Sequence, residues 1–319
     1  MESHNKTKVT YFIIKGISEV PQLQSPIFLL VLLIYLITLG GNMTILLLVC
    51  LDPHLHTPMY FFLASLSILD FSSSTITLHK ALTSFVTGHK KVPYLDCLVQ
   101  FYMFSTLACN QLLTLSVMSY DRYVAICNPL HYSTLINFRI CFILATVCWI
   151  TSFLEVVPYL VLLSEFSCYK SNTINHFFCD LIPLLNLICD DTSALEMLSF
   201  LEGLLLLCLA PFLLTFTPYI FIITAIVRIR TKSGRSKAFY TCSSHIAVVV
   251  LLYGTLACQY LKPPSEDGLE ANKLFSLFNT VAVPMLNPLI YSLKNRDVKL
   301  ALKRKLNVLK FPEYMSSLP

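Results

Sequence analysis

Residues 118–132 read MSYDRYVAICNPLHY, and the run 97–120 that leads into them contains no Asp, Glu, Lys or Arg. The charge pair Asp121 and Arg122 therefore stands where a long apolar helix reaches water. Tyr120 and Tyr123 flank the pair, and amphipathic aromatic rings are typical of the membrane–water boundary. The pair could simply anchor the helix there, or Arg122 could fold back and hydrogen-bond the groups that close a cytoplasmic crevice. Both interpretations predict a membrane-spanning helix that ends at this stretch.

The composition excludes an ordinary soluble protein. Hydrophobic residues make up 55% of the 319 residues and charged residues 13%, about half the usual charged share, which is too little to cover a soluble surface. Seven stretches contain enough apolar residues, roughly 20, to cross a bilayer: 26–50, 58–79, 97–126, 140–163, 198–227, 238–261 and 274–293. Strands are not expected, because apolar and polar residues do not alternate. The prediction is an all-α, polytopic membrane protein.

The basic residues set the predicted orientation, since Lys and Arg gather on the cytoplasmic side. Those after the fifth and seventh stretches are Arg228, Arg230, Lys232, Arg235, Lys237, Lys294, Arg296, Lys299, Lys303, Arg304, Lys305 and Lys310. The C-terminal tail, 294–319, is therefore placed in the cytoplasm, and seven crossings place the N-terminal segment, 1–25, outside. The whole chain is predicted to be one seven-helix domain. Its first ten residues show no cleavable signal peptide, and Asn5 begins an N-glycosylation sequon on the outer side.

Four cysteines lie in the predicted outer segments: Cys97, Cys168, Cys179 and Cys189. An oxidising compartment and an even count predict two disulfide bridges, and three pairings are open. The neighbouring stretch 176–180, HFFCD, could also suggest a metal site. A cysteine in a bridge is not a metal ligand, so a structural role is favoured and no metal is predicted.

Asp70 interrupts the second apolar stretch, where a charge costs about 2.5–3.5 kcal/mol on insertion scales. Such residues usually face the interior of a helix bundle and are functional candidates. A structural hydrogen bond and an ion site are the two interpretations. In the last stretch Pro288 removes a backbone donor and predicts a kink, and Asn287 can hydrogen-bond the freed groups.

Six phrases spread over the chain carry a family resemblance: GN at 41–42, LHTPMYFFL at 55–63, MSYDRYVAICNPLHY at 118–132, HFFCD at 176–180, KAFYTCSSH at 237–245 and PMLNPLIYSLKN at 284–295. Together they resemble the odorant receptors, in particular the tetrapod-type (class II) branch, within the rhodopsin-like G-protein-coupled receptors. The resemblance implies a receptor in the plasma membrane of olfactory cilia. It also selects the pairings Cys97–Cys179 and Cys168–Cys189, which hold the second outer loop as a lid.

By the same resemblance, a small molecule binds between the third, fifth, sixth and seventh helices. The implied contacts are Phe104, Ser105, Ala108, Cys109, Leu112, Gly203, Leu207, Tyr253, Leu256, Tyr260, Asn279 and Thr280. None of these is Lys, Arg, Asp or Glu, so the expected ligands are uncharged alcohols, ketones, aldehydes or esters.

The resemblance further implies coupling to a heterotrimeric G protein with a stimulatory, olfactory-type alpha subunit, and so to cyclic AMP. The implied activation residues are Asp121, Arg122, Tyr123, Tyr219, His245, Asn287, Pro288 and Tyr291. His245 could restrain the inactive state near Arg122, or could be a core histidine that a hydroxyl satisfies. Asp70 is expected near Asn42 and Asn287, and a sodium ion beside it is the one cofactor considered. Gln111 stands where a Glu is frequent in the family, which puts a two-acid ion site in doubt.

Other classes of function have less support. A transporter or channel predicts internal repeats and a path of ionisable residues, which the sequence does not show. The enzyme motifs GxSxG, GxGxxG, P-loop and HExxH are missing, and no nucleic-acid partner is expected. A peptide or amine receptor is the closer rival, but amine receptors use an acid on the third helix, where this chain has Phe104 or Ser105.

Overall fold

The computed structural model describes residues 9–18, 20–209, 211–229, 231–260 and 266–316. The first four long helices are Pro21–Leu51, Pro58–Thr87, Tyr94–Cys127 and Phe138–Glu165. The fifth runs through Ser193–Glu202, Gly203–Leu209, Pro211–Phe216 and Thr217–Arg228. The sixth is Lys232–Tyr260, the seventh joins Glu266–Leu277, Phe278–Ala282 and Val283–Lys294, and a terminal helix follows at Arg296–Ser316. Short helical turns are Pro53–Leu55, Pro129–His131, Tyr132–Leu135 and Leu181–Leu185.

The helices confirm the seven-span fold. Five helical stretches of the described chain are long and apolar enough to cross a membrane, the last at Ala271–Tyr291, and shorter apolar stretches at Leu213–Arg228 and His245–Gln259 complete the seven positions. The helices extend past the predicted apolar limits at most of their ends. The first begins at Pro21 rather than residue 26, because a proline at the first helical position favours helix initiation. The second ends at Thr87, because Gly88 adopts a left-handed φ of 72° there.

The third helix is the centre of the bundle and packs against the second, fourth, fifth and sixth helices. Its buried face carries polar as well as apolar side chains, whereas the first and fourth helices turn large apolar side chains such as Leu29 and Leu154 outward. This is the arrangement of a membrane bundle, in which lipid covers the apolar outside. The first helix approaches the seventh closely at Gly41, where a Cβ atom would lie 3.0 Å from the Cγ of Pro288.

A small three-stranded sheet, which the sequence did not predict, lies at the outer end. Strand β1 (Tyr11–Ile14) pairs antiparallel with β2 (Lys91–Pro93) and parallel with β3 (Thr173–Ile174). Phe12 is fully buried between the rings of Tyr94 and Tyr169. The sheet joins the N-terminal segment, the first outer loop and the second outer loop into one layer. The sequon at Asn5 lies outside the described residues.

Both disulfide bridges have the pairing that the resemblance implied. Cys97 is bonded to Cys179, and Cys168 to Cys189. The first bridge ties the second outer loop to the start of the third helix, and the second closes that loop on itself. The loop therefore lies as a fixed lid over the outer end of the bundle.

Candidate functional site

A cavity of about 120 Å³ opens in the outer half of the bundle. Its lining residues come from the third helix, the fourth helix, the lid, the start of the fifth helix and the sixth helix. They are Phe101, Phe104, Ser105, Ala108, Cys109, Leu112, Glu155, Val156, Tyr159, Leu181, Ser199, Glu202, Gly203 and Leu256. The mostly apolar wall with a few polar groups is typical of sites for small organic molecules.

The structure places the predicted contact residues in three groups. Seven of them line the cavity: Phe104, Ser105, Ala108, Cys109, Leu112, Gly203 and Leu256. The side chains of Leu207 and Tyr260 lie outside the described part of the structure. Tyr253, Asn279 and Thr280 do not line this cavity, because their polar groups are turned to protein neighbours instead. Thr280, for example, donates to the carbonyl of Ser276 at 2.8 Å.

The fourth helix therefore replaces the seventh as a wall of the cavity. In the described chain no residue of the seventh helix belongs to the lining, whereas the fourth helix supplies Glu155, Val156 and Tyr159. The expectation of a lining without charged residues is wrong, since Glu155 and Glu202 both belong to it. The preference for uncharged ligands rested on that expectation and loses its basis. The sequence signal that could have identified Glu155 and Glu202 is the presence of an acidic residue within an apolar span, because such residues usually face the interior of the bundle.

The lid and the sixth helix meet at the cavity through a buried polar chain. Leu181 of the lid lines the cavity, and the preceding Asp180 carboxylate accepts from Gln259 Nε2 at 3.0 Å. Gln259 Oε1 accepts in turn from Asn279 Nδ2 at 2.9 Å, and Asn279 also contacts the Thr255 hydroxyl. Since Leu256 lies one helical turn before Gln259, the lid, the cavity wall and the outer ends of helices six and seven form one connected unit.

Below the cavity, Tyr253 connects the sixth helix to the third. Its hydroxyl donates to the carbonyl of Leu112 at 3.1 Å and lies 3.2 Å from the Ser116 hydroxyl. Leu112 is itself a lining residue. A ligand that displaces the wall at Leu112 or Leu256 would therefore disturb this contact.

The Asp70 carboxylate lies deeper in the bundle and is satisfied by two amides. Gln111 Nε2 donates to one oxygen at 2.9 Å and Asn287 Nδ2 to the other at 2.8 Å. Asn42 donates instead to the carbonyls of Thr38 and Pro284, so the expected direct link to Asp70 is not formed. The side-chain carbonyl oxygens of Asn42 and Asn287 lack donors in the described structure. These oxygens and the carboxylate are the ligands that a sodium ion would use, and the ion stays a prediction.

At the cytoplasmic end, Asp121 is buried and has two partners. The Tyr132 hydroxyl donates to Asp121 Oδ1 at 2.7 Å, and Arg122 Nη2 lies 3.5 Å from Asp121 Oδ2. Burial and then the charge of Asp121 raise the pKa of Tyr132 well above its ordinary value, so this hydroxyl stays a donor at physiological pH. Tyr123 packs at the same end against the side chains of the fifth and sixth helices.

His245 is hydrogen-bonded to the hydroxyl of Tyr219. Its Nδ1 lies 2.6 Å from the Tyr219 hydroxyl, which joins the sixth helix to the fifth. Arg122 is near enough to act electrostatically on His245, Tyr219 and Tyr291. In the described structure Arg122 Nη2, His245 Nε2 and the Tyr291 hydroxyl are buried without a hydrogen-bond partner. Arg122 Nη2 and the Tyr291 hydroxyl are therefore available donors at the cytoplasmic end, whereas the role of His245 Nε2 depends on its tautomer.

Two further residues, His176 in the lid and Asp52 after the first helix, have defined charged or aromatic partners. His176 stacks on Phe177 in the lid, and burial, followed by the charge of Lys273, lowers the pKa of His176 to about 3, so the ring is neutral. Asp52, in the turn after the first helix, is bound by Arg304 of the terminal helix, whose Nη2 lies 2.7 Å from the carboxylate. The hydrogen bond from Arg304 lowers the pKa of Asp52 below its usual range. No local pattern indicates this pair, because its two residues are 252 positions apart in the chain.

Comparisons with known proteins agree with this architecture. A family model described as olfactory receptor matches residues 31–308. Olfactory receptor 8U3 of Mus musculus is 44% identical, with 96% of each chain covered, and olfactory receptor 8G1 of Homo sapiens is 44% identical over 96% of this chain and 98% of its own. The crystal structure of squid rhodopsin matches with a TM-score of 0.71 at 19% identity, over 92% of this chain and 88% of the other. The last likeness concerns the fold alone.

Proposed function

The chain belongs to the olfactory receptor family, and we propose that its outer cavity binds a small odorant and couples that binding to a stimulatory, olfactory-type G protein. The receptor is a multi-pass protein of the plasma membrane, and the ciliary membrane of olfactory neurons is its proposed site of action. The observation that carries the proposal is the cavity beneath the lid, with the sixth helix as one wall.

A ligand can act only through different affinities for two arrangements of the bundle. Leu112 of the third helix and Leu256 of the sixth both line the cavity, and the Tyr253 hydroxyl joins the same two helices. Contacts that spread or tilt these walls would weaken the Tyr253 bonds. The sixth helix would then move relative to the third, which is the motion that the proposal requires.

At the cytoplasmic end, that motion would separate His245 from Tyr219, because these residues belong to the sixth and fifth helices. The crevice so opened contains the available donors of Arg122 and Tyr291. The last carbonyl groups of any helix lack partners within that helix. The C-terminal helix of a G-protein alpha subunit could therefore enter the crevice and receive hydrogen bonds from these donors.

The test is Arg122→Ala with ligand-driven cyclic AMP as the readout, in cells that express equal amounts of receptor at the surface. Arg139→Ala is the matched control, since Arg139 is an exposed basic residue at the same end of the bundle. Arg122→Ala is expected to abolish the response while ligand binding persists, and Arg139→Ala to leave it intact. A full cyclic AMP response from Arg122→Ala would contradict the proposed coupling.

A further inference from the structure

The cavity of the proposed function contains two acids and, in the described lining, no basic residue. Glu155 comes from the middle of the fourth helix and Glu202 from the fifth. Both side chains are half-buried, so water screens them less than it screens surface carboxylates. The rest of the wall is largely apolar, with Phe101, Phe104 and Leu256 among its members. The cavity thus has an acidic part and an apolar part.

Within the part of the chain that the structure describes, these acids have neutral partners only. The Cys109 thiol donates to Glu155 Oε2 at 3.1 Å, and a thiol is a weak donor. Glu202 is within hydrogen-bonding reach of the Tyr159 hydroxyl. The two carboxyl groups also act on each other, as like charges that oppose joint ionisation. No ion pair with either acid exists in the described chain, although the acids Asp52 and Asp121 each have an arginine.

We propose that this cavity selects small organic amines, with the ammonium group held by Glu202 and Glu155 and the apolar remainder against Phe104, Leu112 and Leu256. An alkylammonium group offers up to three N–H donors, which is enough to serve both carboxylates at once. With a pKa near that of lysine, about 10.4, it is charged at physiological pH. Charge-assisted hydrogen bonds of this kind are roughly twice as strong as neutral ones.

The amine also removes the repulsion between the two carboxylates, because a cation between them is attracted to both. An alcohol of the same shape offers one neutral donor and leaves one acid without a strong partner. The cavity is therefore expected to prefer an amine to the isosteric alcohol by about 30-fold or more in apparent affinity, the range in which breaking a buried charged pair falls.

The experiment uses the full-length receptor, purified in detergent, with hexylamine, hexanol, cyclohexylamine and cyclohexanol as probes. Ligand-induced change in melting temperature measures binding, and cyclic AMP in cells measures signalling. The variants are Glu202→Gln and Glu155→Gln, with Glu165→Gln as control, because Glu165 is exposed at the outer end of the fourth helix and outside the cavity lining. Glu202→Asp keeps the charge and tests whether charge, rather than folding, is responsible.

The proposal predicts that the amines stabilise the wild type at concentrations at least about 30-fold lower than the alcohols. Each Gln variant should lose that preference, whereas Glu165→Gln and Glu202→Asp should keep it. Equal stabilisation by amine and alcohol, no stabilisation by either amine, an amine preference that survives both Gln variants, or a Glu202→Asp variant as defective as Glu202→Gln would each overturn the proposal. Glu202-dependent binding of amines without any cyclic AMP response would support the amine site and contradict the proposed coupling.

Discussion

The outer and inner halves of the bundle differ in the partners of their acidic residues. At the inner end Asp121 is held by Tyr132 and Arg122, and Asp52 by Arg304. In the outer cavity Glu155 and Glu202 have neutral partners, and no charged ones among the described residues. We propose that the partners at the inner end are exchanged between two states of the receptor, and that the acids of the outer cavity bind an external partner. The following predictions test whether this division is correct.

The largest effect is expected from loss of the bridge that fixes the lid. Cys97→Ser leaves Cys179 unpaired and releases a loop closed over 82 residues, and loss of a native bridge typically costs 2–5 kcal/mol. We expect little receptor at the cell surface, measured by flow cytometry with an antibody to an N-terminal tag. Cys258→Ser, at an exposed free cysteine of the sixth helix, is the control and should reach the surface normally.

A second prediction concerns the packing that both halves share. Gly41→Ala should lower the free energy of unfolding by about 1–3 kcal/mol, because the new methyl group would press on Pro288. Gly40→Ala is the control, since nothing lies within 4 Å of its added Cβ. The melting temperature of the purified receptor distinguishes the two variants. Equal melting temperatures for both would show that the close approach of the first and seventh helices is not needed.

The third prediction weakens only the outer half. Gln259→Leu removes the donor by which the sixth helix, in the described structure, binds the lid carboxylate of Asp180, one of several contacts of that carboxylate and a charge-assisted bond worth about 1.5–3 kcal/mol. Ligand potency should fall by roughly tenfold or more, because the lid wall at Leu181 is no longer held against the sixth helix. Basal cyclic AMP should stay unchanged if the inner half is independent of this contact. An unaltered dose–response curve would show that the contact between the lid and Gln259 does not contribute to ligand binding.

The smallest effect is expected at the inner surface. Arg304→Ala should increase hydrogen exchange in the terminal helix with little change in ligand potency, and Lys303→Ala, at an exposed neighbour, should not. The pKa of Asp52 is lowered in the folded protein, so its contribution is present above the unfolded pKa, about 3.9, and is lost as pH falls through the folded value. Protection of the terminal helix should therefore be constant from about pH 5 to 8. A loss of protection within that range would contradict the role given to this pair.

The two halves also differ in how far the sequence predicts them. Asp121, Arg122 and Pro288 are recognisable because each lies in a contiguous phrase whose chemistry is local. The cavity is assembled from five separate segments, and lipid is as apolar as the bundle interior, so hydrophobic periodicity does not show which face of a membrane helix turns inward. The third-helix contacts were therefore implied by the family resemblance rather than by a local pattern, whereas Tyr159, Leu181 and Glu202 were not predicted.

The same reasoning explains the other differences. Strand β1 has four residues and depends on pairing with two distant loops. No local sequence pattern predicts that pairing. Asn279 and Thr280 carry polar groups suited to a pocket, but those groups bind neighbours within the seventh and sixth helices. Which partner a polar side chain selects is decided by tertiary packing rather than by its own segment.

The central claim is that occupation of the outer cavity moves the cytoplasmic end of the sixth helix. The direct measurement is the distance between spin labels at Arg139→Cys and Arg235→Cys, in a background in which the exposed Cys50 and Cys258 are serine. The receptor is measured with and without a probe amine that raises cyclic AMP. We predict a shift of the distance distribution to longer values on ligand addition, and loss of that shift in Glu202→Gln. An unchanged distribution in the presence of a ligand that fully activates cyclic AMP production would contradict the account.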